Sequence, residues 1–123
     1  MRLLIDTHIL VWIVLNDRRL SKRQRDVLGD PTNAIVLSPV VAYELTQLQR
    51  TRCIPLREPV ERLRELVGFD SVDLPFDCWR IVATLPDIHR DPIDRMLIAH
   101  ALCVGMTLVS SDANIRRYPV DCV

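Results

Sequence analysis

Lysine is almost missing from this chain: Lys22 stands alone among 16 basic residues, and the rest are arginines. Two origins fit that bias, an arginine-rich genome or a use for bidentate contacts to phosphate and carboxylate. A surplus of positive charge is missing too, because 16 acids bring the formal net charge to zero. Overall charge therefore does not mark a nucleic-acid binder. Glycine is sparse, and Gly29, Gly68 and Gly105 lie too far apart for the G-x-G-x-x-G turn of a dinucleotide-binding enzyme. The four cysteines, Cys53, Cys78, Cys103 and Cys122, include no C-x-x-C pair, and no nearby histidine completes a zinc pattern. Free thiols in a reducing compartment are the expectation. No apolar run nears the roughly 20 residues of a membrane span. The opening Met1-Arg2-Leu3-Leu4-Ile5-Asp6 is too short, and too soon interrupted by an acid, for a secretory leader. These absences predict a cytoplasmic protein with no membrane partner.

What is present fits one compact domain spanning 1–123, with 49% hydrophobic and 26% charged residues. Leu3 to Ile5 is a short continuous apolar run, the pattern of a buried parallel strand. Ile9, Leu10, Ile13 and Val14 then follow at helical spacing. Ser21 suits the cap of a second helix closed by Gly29-Asp30-Pro31. Residues 34–37 form a second buried-strand pattern. Ser38 and Pro39 suit the cap and first position of a helix running to about Arg50. A short helix is expected over 59–67, a third strand over 68–74, and a helix from Pro75 to about Leu85. Asp91-Pro92 opens the clearest helix, which ends at Gly105. A fourth strand over 107–110, a short helix over 113–117 and a short last strand over 118–123 complete the chain. Strand and helix alternate throughout, which predicts an α/β fold with a mostly parallel sheet and helices on both faces.

Four acids are the informative residues, although each also has a structural use. Asp6 ends the first apolar strand, where ligands bind in open parallel sheets, though it also fits a helix cap. Glu44 falls in the same stripe as Val41, Leu45 and Leu48, so its charge needs either an arginine partner or a cation. Asp94 heads the stripe of Leu97, Ile98 and Ala101, and it also occupies the third helical position, where an acid meets the helix dipole favourably. Asp112 follows the fourth strand and fits the cap of the short helix after it. Together the four converge on one edge of the sheet. Carboxylates gathered there cannot all ionise unless something cancels their charge. An all-oxygen set suits Mg²⁺ or Mn²⁺, and such ions support phosphodiester hydrolysis.

The same residues carry a resemblance. Leu3-Leu4-Ile5-Asp6-Thr7-His8 resembles the opening of PIN-domain proteins, in particular the VapC toxins. Ser38-Pro39-Val40-Val41-Ala42-Tyr43-Glu44-Leu45 is similar to their second motif. His89-Arg90-Asp91-Pro92-Ile93-Asp94-Arg95-Met96-Leu97-Ile98-Ala99-His100-Ala101 is close to the third, and Leu108-Val109-Ser110-Ser111-Asp112 is similar to the fourth. The likeness spans residues 3 to about 118 and is loose only over about 50–88. It implies a Rossmann-like three-layer α/β/α sandwich. It implies that Asp6, Glu44, Asp94 and Asp112 form a catalytic metal site for Mg²⁺ or Mn²⁺, supported by Thr7, Ser110 and the helix-capping Asp91. It further implies an endoribonuclease toxin that cleaves RNA with metal-activated water, forms a homodimer, and is blocked by a cognate VapB-type antitoxin, with helices around 9–28 and 40–66 offering the groove.

Some residues keep two readings. Arg90, Arg95, Arg116 and Arg117 flank the acidic motifs and suit either RNA phosphates or neighbouring acids. His8, His89 and His100 are expected to be structural, and Trp12, Trp79, Met96 and Leu97 to serve core or interface. A PIN-like fold retained only as a binding module is the main alternative. A receiver-type signalling domain fits less well, since Asp6 has no paired acid beside it and Lys22 is the only lysine.

Overall fold

A computed structural model describes residues 1–123. The apolar run after Met1 forms β1 (Arg2–Ile5), and the second forms β2 (Ala34–Leu37). They are followed in the chain by β3 (Asp70–Ser71) and β4 (Thr107–Val109), in one all-parallel sheet of order β3-β2-β1-β4. Six helices connect them: α1 (Thr7–Leu15), α2 (Lys22–Gly29), α3 (Pro39–Arg50), α4 (Val60–Val67), α5 (Cys78–Thr84) and α6 (Pro92–Val104). Chain direction across the sheet reverses once. β1 to β2 to β3 steps one way, and the return to β4 steps over β1 to its other side. Helix α1 packs against α3 and α4, α5 packs against α6, and α6 also meets α3. The reversal leaves a crevice between β1 and β4 at their carboxyl ends, the place where such sheets bind ligands.

The helices start where their caps dictate. Asp6 caps α1 by accepting from Ile9 N, Ser21 and Gln24 form a reciprocal capping box on α2, and Ser38 and Asp91 cap α3 and α6 ahead of Pro39 and Pro92. Gly105 ends α6 in the left-handed region, at φ 68°. The core is a single cluster of 25 buried residues in which Leu3, Leu4, Ile5, Leu45, Ile98 and Leu108 are fully enclosed. No helix is long and apolar enough to cross a membrane.

Three elements are shorter than their sequence patterns suggest. The third strand has two residues in place of 68–74, because Gly68 closes α4 with a left-handed turn and the chain leaves the edge of the sheet before Pro75. Helix α5 begins at Cys78, three residues after Pro75. The short helix after Asp112 is one 3-10 turn, Ile115–Arg117. The tail runs alongside β4 as a single bridge, Leu108 to Cys122, with Leu108 N donating to Asp121 O at 2.8 Å and Ser110 N to Val123 O at 3.1 Å.

Candidate functional site

The carboxyl ends of β1 and β4 are in register, Ile5 opposite Val109, and Asp6 N donates to Val109 O at 3.2 Å. Asp6 is therefore locked beside Ser110 at the crevice. It is only 7% exposed, and its Oδ1 accepts from Ile9 N at 2.8 Å. Glu44 reaches the same place from the middle of α3, where Thr7 Oγ1 donates to its Oε1. Asp94 arrives on the first turn of α6, and Asp112 on the loop after β4. All four carboxylates, together with Asp91, line one cavity of about 270 Å³. Four separate elements thus bring the four acids together.

His89 lies inside this group. Its Nε2 is 3.0 Å from Asp94 Oδ2 and 3.0 Å from Asp112 Oδ2. The three ligand-type atoms lie within 4.8 Å of one another, while Asp6 and Glu44 stand outside that tight cluster on the same cavity wall. The Nδ1 of His89 accepts from Asp91 N at 3.2 Å, which leaves the ring proton on Nε2, shared between the two carboxylates. Its backbone N donates to Tyr118 Oη at 2.7 Å. Nothing in the residue pattern separates His89 from the structural histidines except its place in the motif, two residues before the cap of α6.

Electrostatics divides the acids. Burial raises Asp6 above the ordinary carboxylate range, against opposing hydrogen bonds from Ser110 and Ile9. Burial, then the negative charge of Asp91, pushes Asp94 up to about 7; Glu44 and Asp6 add to this and His89 opposes it. For Asp112, burial also pushes upward, but the Asn114 N–H and His89 outweigh it and hold the group low. The cavity thus contains more negative charge than its own hydrogen bonds neutralise.

The arginines beside the motifs divide as well. Arg95 is turned inward onto the end of α5: Nη1 donates to Pro86 O at 2.8 Å and to Tyr118 Oη at 3.2 Å, and Nη2 to Val82 O at 3.2 Å. Arg116 Nη2 donates to Ser110 O at 3.0 Å. Arg90 and Arg117 are exposed. Of the other histidines, His100 is buried against Ser38, with Nδ1 at 2.9 Å from Oγ, and burial pushes its pKa down. His8 is exposed at the cavity rim.

A crevice at a sheet's switch point, ringed by acids from four elements, defines a class of protein, and residues 3–121 match the PIN domain. The chain belongs to the PIN-domain family. Its fold is similar to that of VapBC2 from Rickettsia felis, solved bound to a promoter DNA fragment, with TM-score 0.69 and 18% identity over 100% of this chain and 98% of that one. It is also similar to VapBC-1 from nontypeable Haemophilus influenzae, with TM-score 0.65 and 13% identity over 100% of this chain and 97% of that one. At these identities the likeness is one of fold. No curated protein matches the chain.

Proposed function

We propose that this protein is a divalent-metal-dependent endoribonuclease and the toxin half of a VapBC-type toxin–antitoxin pair. The observation that carries the reading is the gathering of Asp6, Glu44, Asp94 and Asp112 on one cavity, with Asp94 driven to about 7 by burial and by like charge. An uncompensated, all-oxygen set of this kind suits Mg²⁺ or Mn²⁺. Those four side chains would hold the ion, which supplies acidified water and charge stabilisation for phosphodiester hydrolysis.

The chain's own residues prepare that chemistry. Thr7 fixes the rotamer of Glu44, and Ser110 supports Asp6. Asp91 caps α6 and aims its first turn, bearing Asp94, into the cavity. His89 donates between Asp94 and Asp112 and keeps the two facing each other. Arg90 and Arg117 are exposed without a side-chain partner, and to them we assign the contacts to phosphate. Arg95 and Arg116 already hold carbonyls.

Two surfaces support the partners. A groove of about 320 Å³ between α1, α2 and α4, with Ile13, Leu28, Leu66 and Val67 on its walls, fits an apolar antitoxin segment. An apolar patch with Tyr43, Leu74, Ile93 and Met96 fits a second copy of the chain. The similar folds come from VapBC complexes, which supports the antitoxin assignment.

The test is to incubate purified protein, freed of antitoxin, with total RNA and Mg²⁺ or Mn²⁺. Discrete fragments are expected, lost with chelator and reduced on the order of 10³-fold in Asp94→Asn, equivalent to about 4 kcal/mol of transition-state stabilisation. Folded protein that cleaves no RNA with either metal would overturn the reading in favour of a binding module.

A further inference from the structure

The acidic cavity has a second kind of wall. His8 and Trp12 stand at i and i+4 on α1, so both rings project from one face of that helix. Both line the cavity that holds Asp6 and Glu44. Their centroids are 6.2 Å apart and their planes are inclined by 56°, a tilted pair and not a parallel stack. The Arg19 guanidinium lies 4.9 Å from the indole centroid. Asp17 pins it there, accepting from Nε at 3.1 Å and from Nη2 at 2.8 Å.

Core packing accounts for Trp12 only in part, as a half-buried ring set against the core, and does not account for His8. Trp12 is only partly buried and His8 is exposed, and both face a cavity otherwise lined mainly by acids and hydroxyls. An RNA strand brings two kinds of group to such a place, phosphates and the flat faces of unpaired bases. The acids can take a phosphodiester only with a cation between. The wall of His8 and Trp12 has the opposite character: two aromatic rings, the indole carrying the Arg19 guanidinium against it, a surface of the kind on which bases stack.

We propose that His8 and Trp12, with Arg19 held against the indole, form a subsite for one unpaired nucleobase of the RNA strand, flanking the phosphodiester at the acids. The inference rests on the ribonuclease reading and adds the part of the substrate that is recognised. Asp6 caps the helix that carries Trp12 six positions later, a rise of roughly 9 Å. The base held there belongs to a nucleotide beside the cleaved bond. A duplex keeps its base faces stacked inside, so this wall selects single-stranded segments.

The chain has two tryptophans, and Trp79→Phe leaves Trp12 as the sole indole reporter. In Mg²⁺, rapid mixing with a short single-stranded oligonucleotide should quench Trp12 fluorescence before cleavage. An abasic strand of equal length and charge should not quench it and should bind about ten-fold more weakly. Trp12→Leu should lose the preference for bases, and Trp12→Phe should keep most of it. Equal binding of the two strands, or an indole that does not respond to bases, overturns the subsite; the quenching readout needs no variant at Trp12 and stands even if Trp12→Leu fails to fold. RNA cleavage together with equal binding of the base-bearing and abasic strands would sink this inference and leave the ribonuclease standing. Base-dependent quenching with no cleavage of any RNA would do the reverse.

Discussion

The two edges of the sheet differ in how they are finished. At the β4 edge the last residues of the chain close over the strand, and the fully buried Ser110 N donates to Val123 O. Gln24, only 2% exposed, reaches from α2 to Ser110 O at 3.3 Å, Ser111 Oγ at 3.2 Å and Val123 O at 3.4 Å. At the β3 edge two exposed residues, Asp70 and Ser71, make the whole strand. The difference follows the crevice. Loops that carry Asp6, Ser110 and Asp112 must be held in fixed register, whereas the β3 edge only has to end the sheet without inviting another strand, and short length and an acid suffice for that.

The largest expected effect tests this contrast directly. Removing residues 121–123 strips β4 of its cover, exposes the buried Val123 position and leaves Leu108 and Ser110 N–H groups without partners. A loss of about 4 kcal/mol is expected in denaturant unfolding, from hydrogen bonds and apolar burial together. Asp70→Ala with Ser71→Ala at the other edge should stay within about 0.5 kcal/mol. Comparable losses at both edges would erase the distinction.

The next effect belongs to charge within the site. Asp94 is raised from 3.8 to about 7, so the folded state binds its proton more tightly than the unfolded chain does. Its contribution to stability is full below the unfolded value of 3.8 and is lost as pH rises through about 7. Asp6 shifts in the same direction. Asp112 is lowered, so its contribution is present above 3.8 and fades as pH falls below its folded value. Metal-free protein should therefore lose on the order of 2–4 kcal/mol between pH 5 and pH 9. Asp94→Asn should flatten that slope. Mg²⁺ should raise the melting temperature more at pH 8 than at pH 6, because the ion competes with the proton. Thermal melts across pH, with and without Mg²⁺, would reveal a flat profile if the site charge were already balanced.

The same division governs what could be read from residues alone. β1, β2, α3 and α6 were legible because each couples an apolar period to a specific cap, Asp6, Ser38 or Asp91. The convergence of the four acids was legible because each sits at a strand end or in a core-facing helical stripe. The stretch over 68–85 was not legible to the residue. Its acids, prolines and isolated apolar positions match a strand and a helix about equally, and the edge of the sheet decides which residues pair. His89 escaped for a different reason: a loop has no periodicity to mark which way a side chain points, and only the fold brings it between Asp94 and Asp112. Arg95 shows the same limit, since nothing in its spacing says that the end of α5 would be waiting for its guanidinium.

That last case gives the smallest and most discriminating effect. Arg95 holds Val82 O, Pro86 O and Tyr118 Oη, tying α5 to the strut beneath His89. Arg95→Ala should cost about 2 kcal/mol of stability, as charge-assisted hydrogen bonds to carbonyls do. It should leave the slope of log affinity for RNA against log salt unchanged. Arg90→Ala or Arg117→Ala should do the opposite, with stability within about 0.5 kcal/mol and a salt slope shallower by about 0.7 for a single strand. Unfolding curves and salt-dependent binding on the three variants separate a guanidinium that builds the site from one that meets its substrate. A salt slope that falls in Arg95→Ala would place that side chain on the RNA after all, and would mean that the hold on α5 opens when substrate binds.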